Sequence, residues 1–163
     1  MKKLLFVLLA AAVLGGMGLL PFRSVDAAKL LPVKTVIVTK SGDEYVVDIG
    51  AGVQAVGRTL REALDCLREE VTGEVFLPTA EQVIVTDAAE DAVEAVAEET
   101  SFRPAAGIYR TPDRHLDVEA VGAYLDSHTS NMTILDVRAA LALGQTPAIP
   151  VIRAADGGFR VDG

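Results

Sequence analysis

The sequence predicts an α+β fold: a mixed sheet with hairpins at both ends and about four helices, preceded by an N-terminal hydrophobic helix. Three observations predict it. β-branched runs flank short glycine-containing turns near both ends of residues 29–163. Amphipathic runs of helical period lie between them, opened by Thr or Asp. An uncharged stretch over residues 4–20 follows two lysines.

That stretch comes first. Lys2 and Lys3 form a positive n-region, and Val25 and Ala27 suit the small-residue positions of a cleavage site. The run is long enough for either a cleaved signal peptide or an uncleaved membrane anchor, so residues 1–28 are read as one of the two. Either way the domain at 29–163 is exported: the lysines stay inside, and the rest lies on the extracytoplasmic side. Cleavage after Ala27 would give a secreted form. Without cleavage, residues 4–20 anchor it.

Residues 33–39 and 44–49 read as a hairpin around Ser41, Gly42 and Asp43. A glycine-rich stretch over 50–57 follows, read as a flexible connection. Thr59 and Glu62 have the spacing of a capping box. Leu60, Ala63, Leu64, Leu67 and Val71 then recur at helical period up to Gly73. Residues 75–77 and 82–86 read as short strands. Asp87 suits the cap of a second helix over 88–99, with Val93 and Val96 on one face and acidic residues on the other. Residues 107–109 read as a strand. Asp117 caps a third helix over 118–127, and Thr133 a fourth over 134–143, closed by Gly144. Residues 149–152 and 159–161 flank Asp156, Gly157 and Gly158, a second hairpin signal.

Composition narrows the function classes. The chain has 163 residues, is 50% apolar, lacks Trp and has 5% aromatics, so its core is expected from Val, Leu, Ile and Ala. The net charge is -8. Cleavage after Ala27 would remove Lys2, Lys3, Arg23 and Asp26, leaving 12 basic against 22 acidic side chains. A nucleic-acid partner is therefore not expected, and membrane contact is expected only through the N-terminal segment.

Few residues carry a chemical signal. Gly50, Gly52 and Ala55 fit the G-x-G-x-x-A spacing of a dinucleotide fingerprint. The strand before them is the second arm of a hairpin, and the helix cap at Thr59 comes several residues late. No cofactor is expected. A weaker alternative is an anion loop using Gly50, Gly52 and Gly57. His115 and His128 have no second ligand at metal spacing, and the acidic face of the second helix lacks the loop of a calcium site, so no metal is expected. Cys66, the single cysteine, sits on the flank of the first helix and reads as a partly buried thiol. None of the five serines lies in a G-x-S-x-G motif, and no catalytic residue is nominated. Asn131 opens a glycosylation sequon that matters only in a eukaryotic secretory path. Phe102, Leu116 and Tyr124 are the candidate contact residues, with core packing the competing role for each.

Two stretches carry a resemblance. The first runs Val56-Gly57-Arg58-Thr59-Leu60-Arg61-Glu62-Ala63-Leu64, then Gly73-Glu74-Val75-Phe76-Leu77, then Gln82-Val83-Ile84-Val85. The second runs Thr133-Ile134-Leu135-Asp136-Val137, then Gly144-Gln145-Thr146-Pro147-Ala148-Ile149-Pro150-Val151-Ile152, then Gly158-Phe159-Arg160-Val161-Asp162-Gly163. In order and spacing they resemble blocks in the N-terminal domain of spore-germination receptor C subunits, the Ger(x)C family. The resemblance covers most of residues 30–163. It implies a non-enzymatic protein at the inner spore membrane that helps a germinant receptor assemble or signal, beside integral-membrane A- and B-type subunits. Family members carry a lipobox cysteine after the signal sequence. Here Ser24, Val25, Asp26 and Ala27 stand there, which makes an uncleaved helix the expected anchor. Family members continue for two further domains, so the chain resembles a stand-alone version of the first. The alternative is a secreted small-ligand or anion-binding domain using the 50–57 loop, and an exported enzyme ranks last.

Overall fold

In the computed structural model, residues 30–71, 74–128, 132–155 and 157–162 are described. The expected N-terminal hydrophobic helix, the glycine that ends the first helix (Gly73), the sequon at Asn131 and Asp156 of the second hairpin turn lie outside them. Among the described residues no helix is long and apolar enough to cross a membrane.

Strands β1 (Leu30–Pro32), β2 (Thr35–Ser41), β3 (Glu44–Asp48) and β4 (Gln54–Gly57) precede helix α1 (Leu60–Glu70). Then come β5 (Glu74–Phe76), β6 (Gln82–Thr86), α2 (Ala92–Glu98) and β7 (Gly107–Thr111). Helices α3 (Val118–Leu125) and α4 (Ile134–Ala142) and strands β8 (Val151–Ala155) and β9 (Gly158–Asp162) complete the order. Seven strands form one sheet in the order β4-β3-β2-β6-β7-β8-β9, and β1 pairs with β5 apart from it. The centre is parallel: β2 with β6, β6 with β7, β7 with β8. Antiparallel strands close both edges. This is the expected mixed sheet with hairpins at both ends, carrying four helices.

The central strands are short unbroken apolar runs because both faces are covered. Val36, Val38, Val83, Val85 and Ile108 point to the larger core, beneath α1, α2 and α4. Ile37, Ile84 and Tyr109 alternate with them and meet Val118, Val121 and Leu125 of α3. Two close approaches set these layers. A Cβ on Gly57 would lie 2.4 Å from the Ala63 amide nitrogen of α1, and one on Gly122 of α3 would lie 2.6 Å from Thr35 Oγ1 of β2.

The predicted caps at Thr59, Asp117 and Thr133 are present. The Thr59 hydroxyl accepts from the Glu62 amide at 3.1 Å, while the Glu62 carboxylate accepts from the Arg58 amide at 2.8 Å. Asp117 accepts from the Ala120 amide at 2.8 Å. Thr133 and Asp136 form a full capping box, and Gly144, at φ 67°, follows the end of α4.

Two expectations are corrected. The stretch 50–57 is not a flexible connection throughout: Gln54–Gly57 is β4, paired antiparallel with β3 from Tyr45↔Gly57 to Asp48↔Gln54. Gly57 is there for the close approach to α1 rather than for chain freedom. The second helix is also shorter than 88–99. Residues Asp87–Ala89 form a 3-10 turn and α2 starts at Ala92. Asp87 caps nothing, because its carboxylate accepts from Arg110 Nη2 at 2.8 Å.

Candidate functional site

The glycine-rich turn is built from three successive left-handed residues: Gly50 at φ 83°, Ala51 at 52° and Gly52 at 73°. The glycines accept this at little strain, whereas for an alanine it costs about 1 kcal/mol. Partners hold it in place. The Gly50 amide donates to Asp48 Oδ1 at 2.8 Å, and the other oxygen of Asp48 accepts from Gln54 Nε2 at 2.6 Å. The Ala51 amide donates to Glu119 Oε1, on the first turn of α3, at 2.5 Å. Two of the amides expected to cradle an anion thus already hold the protein's own carboxylates, and an outside anion would have to displace Glu119. Gly57 is remote from this nest, at the far end of β4. Glu119 has no sequence signal beyond its place in a first turn, where a carboxylate suits the helix dipole.

The three contact candidates separate. Phe102 is 1% exposed and belongs to the larger core, so it offers a partner nothing. Leu116 is half-buried against the α3-side core. Tyr124 is half-buried too, stacked on His128 with ring centroids 4.0 Å apart and tilted against Phe159 at 5.7 Å. It joins the end of α3 to the edge strand β9.

Nothing in this set forms a catalytic pair. Ser127 Oγ lies 3.0 Å from His128 Nδ1, yet each also sits 2.9 Å from the Tyr124 carbonyl oxygen. To bond that carbonyl, Nδ1 must carry the proton, so it is no base toward the serine. His115 is exposed. Cys66 is half-buried against the larger core. Among the described residues no group of three His, Cys, Asp or Glu could hold a metal ion.

The perturbed groups are structural ties. Asp91 Oδ2 accepts from Lys40 Nζ at 2.5 Å and from the Tyr45 hydroxyl at 2.6 Å, pinning the β2–β3 hairpin to the entry of α2. The Lys40 hydrogen bond, then that of Tyr45, holds the Asp91 carboxyl below the usual range, and Asp91 in turn raises Lys40. Burial, then Asp91, pushes the Tyr45 phenol up. Glu99 is 7% exposed. Burial pushes it upward, but the Ser101 hydroxyl and amide, helped by Arg61 and Arg68, hold it below the ordinary value. Arg138 of α4 caps α2, donating to the carbonyls of Ala97 and Glu99.

No family model, no curated protein and no solved structure matches this chain. Its exposed residues are mainly charged, polar or small. The large apolar exceptions include Leu135 and Leu143 at 56% and 72% exposure, on α4 and the residue after it.

Proposed function

We propose that this chain is a non-enzymatic, extracytoplasmic, membrane-associated protein of a spore-forming bacterium. It acts in spore germination as a receptor-assembly or signalling module beside integral-membrane A- and B-type subunits. The reading is carried by the two blocks that resemble the N-terminal domain of germination-receptor C subunits. Their residues take the demanding positions of this fold. Gly57 allows the close approach of β4 to α1, Thr59 caps α1, and Ala63 is buried against the strand. Thr133 and Asp136 box the start of α4, and the Pro150 carbonyl accepts from the Arg110 amide at 2.9 Å where β8 joins β7. The exposed Leu135 and Leu143 are the kind of surface an assembly module buries against a neighbour.

Fractionation of spores and vegetative cells carrying a tagged copy tests the reading. Recovery with the inner spore membrane is expected. Recovery only from the medium of vegetative cultures would sink it.

A further inference from the structure

The parallel strands β2, β6 and β7 end together along one edge of the sheet, and there the connections of β6 and β7 part. The chain leaving β6 enters α2, which packs on the face of Val83 and Val85. The chain leaving β7 enters α3, on the opposite face with Ile84 and Tyr109. Adjacent parallel strands whose connections leave to opposite faces open a crevice at their carboxyl ends, and open α/β sheets take ligands there. Beside that point a groove of about 700 Å³ lies over β2, β3 and β4, bounded by the segments that follow β6 and β7. Ile37, Thr39 and Ser41 of β2 line it with Val46 and Asp48 of β3 and Gln54 of β4, and Ala88 after β6 and Arg114 and His115 after β7 complete the wall.

Charge identifies the ligand class. In a chain of net charge -8, cations are expected to be neutralised by neighbours, and nearly all are. Every described lysine and arginine side chain except Arg58 and Arg114 has an ion-pair or hydrogen-bond partner. Arg114 stands exposed on the crevice wall beside the exposed His115. Thr39 Oγ1 accepts from Thr86 Oγ1 at 2.7 Å, which leaves its own proton for a second acceptor. On the far wall, Asp48 is occupied by the Gly50 amide and Gln54. Arg114, His115, Thr39 and Ser41 are the lining donors left for a ligand.

We propose that this crevice binds a small organic oxyanion, carboxylate or phosphate, its head held by Arg114 and His115 with the hydroxyls of Thr39 and Ser41. The site is separate from the 50–52 turn, where the Gly50 and Ala51 amides are taken, and it does not depend on the germination reading. An unpaired guanidinium at a preformed crevice is a bidentate oxyanion receptor, which a lysine in its place would not be.

The test uses the full chain in detergent micelles, labelled for amide NMR, at low ionic strength. It is titrated with succinate and, separately, with inorganic phosphate, each against sodium chloride of matched ionic strength. Saturable shifts centred on Thr39, Ser41, Gly42, Ala88 and Arg114 are expected from at least one probe, and the tighter probe names the head group. Arg114→Ala should weaken that binding at least tenfold and Ser41→Ala more modestly, while Arg58→Ala leaves it unchanged. Three results would each overturn the proposal: no saturable binding of either probe, equal losses in Arg58→Ala and Arg114→Ala, or shifts confined to residues 50–52.

Discussion

Gly57→Ala tests how the edge of the sheet is held. An added Cβ would lie 2.4 Å from the Ala63 nitrogen, 2.8 Å from the Glu62 carbonyl carbon and 2.9 Å from the Ala63 Cα. All three atoms are backbone, so no rotamer change relieves the clash. Ordinary contact begins near 3.4 Å. Strand β4 and helix α1 must therefore separate by roughly 1 Å, and a gap of that size forfeits a quarter to half of the contact energy across it. Leu60 and Leu64 are fully buried at this seam, and such side chains contribute about 1.5–3 kcal/mol each. The loss comes to about 1–3 kcal/mol, in the range measured for overpacked cores. The reduced freedom of the unfolded chain returns about 0.4–1 kcal/mol, so the net destabilisation is about 1–2 kcal/mol.

The assay is urea unfolding followed by far-ultraviolet circular dichroism, since the chain has no Trp. The midpoint should fall with the slope unchanged. Gly158→Ala is the control: a Cβ there meets nothing within 4 Å, and its stability should stay within about 0.5 kcal/mol of the parent. Adding Ala63→Gly to Gly57→Ala should give no rescue, because the obstructing atoms are not the alanine's side chain. Equal stability of Gly57→Ala and Gly158→Ala, or rescue by Ala63→Gly, would refute the account of β4 packing.

Two further changes probe the helix ends. Arg138→Met keeps the apolar stem but removes the donors to the Ala97 and Glu99 carbonyls, so it should cost about 1–2 kcal/mol and speed amide exchange in the last turn of α2. Asp136→Ala breaks the capping box of α4, and its effect should depend on pH. The Thr133 hydroxyl, then its amide, holds the Asp136 carboxyl below its ordinary value. Its contribution is therefore complete above the unfolded value and lost as pH falls through the lowered folded one. Urea midpoints of parent and variant should differ at about pH 7 and converge toward about pH 3, whereas a constant gap would contradict the pairing.

Much of the fold was legible because local signals agreed with it. The runs at 36–38 and 83–85 are β-branched and bounded by turns, and Thr59, Asp117 and Thr133 each announce a helix with a side chain that then bonds its first turn. The misses have physical causes. Strand β4 has four residues with glycine at its end, too short for alternation to stand out from a loop. The length of α2 depends on Asp87 being drawn to Arg110, a contact made only once β7 lies beside β6. Strand β1 carries Pro32 and is three residues long, so it shows no pattern of its own, although its partner β5 was legible in the run at 75–77. The crevice was invisible too. Thr39 of β2 and Arg114 after β7 line it together only once the sheet is assembled.

The motif residues that carry the family resemblance and the residues that line the crevice are largely different sets. Gly57, Thr59, Ala63, Thr133, Asp136 and Pro150 act on caps, close approaches and strand pairing. Their presence argues for a domain rather than for a binding event. Arg114 and His115 do no such work: both are exposed, and an exposed arginine left unpaired in an acidic chain has no evident role in stability. The two proposals thus fail separately. Failure to find the chain at the spore membrane would leave the crevice chemistry intact, and a silent crevice would leave the proposed assembly role standing, with the exposed Leu135 and Leu143 of the α4 region the first place to look for its contacts.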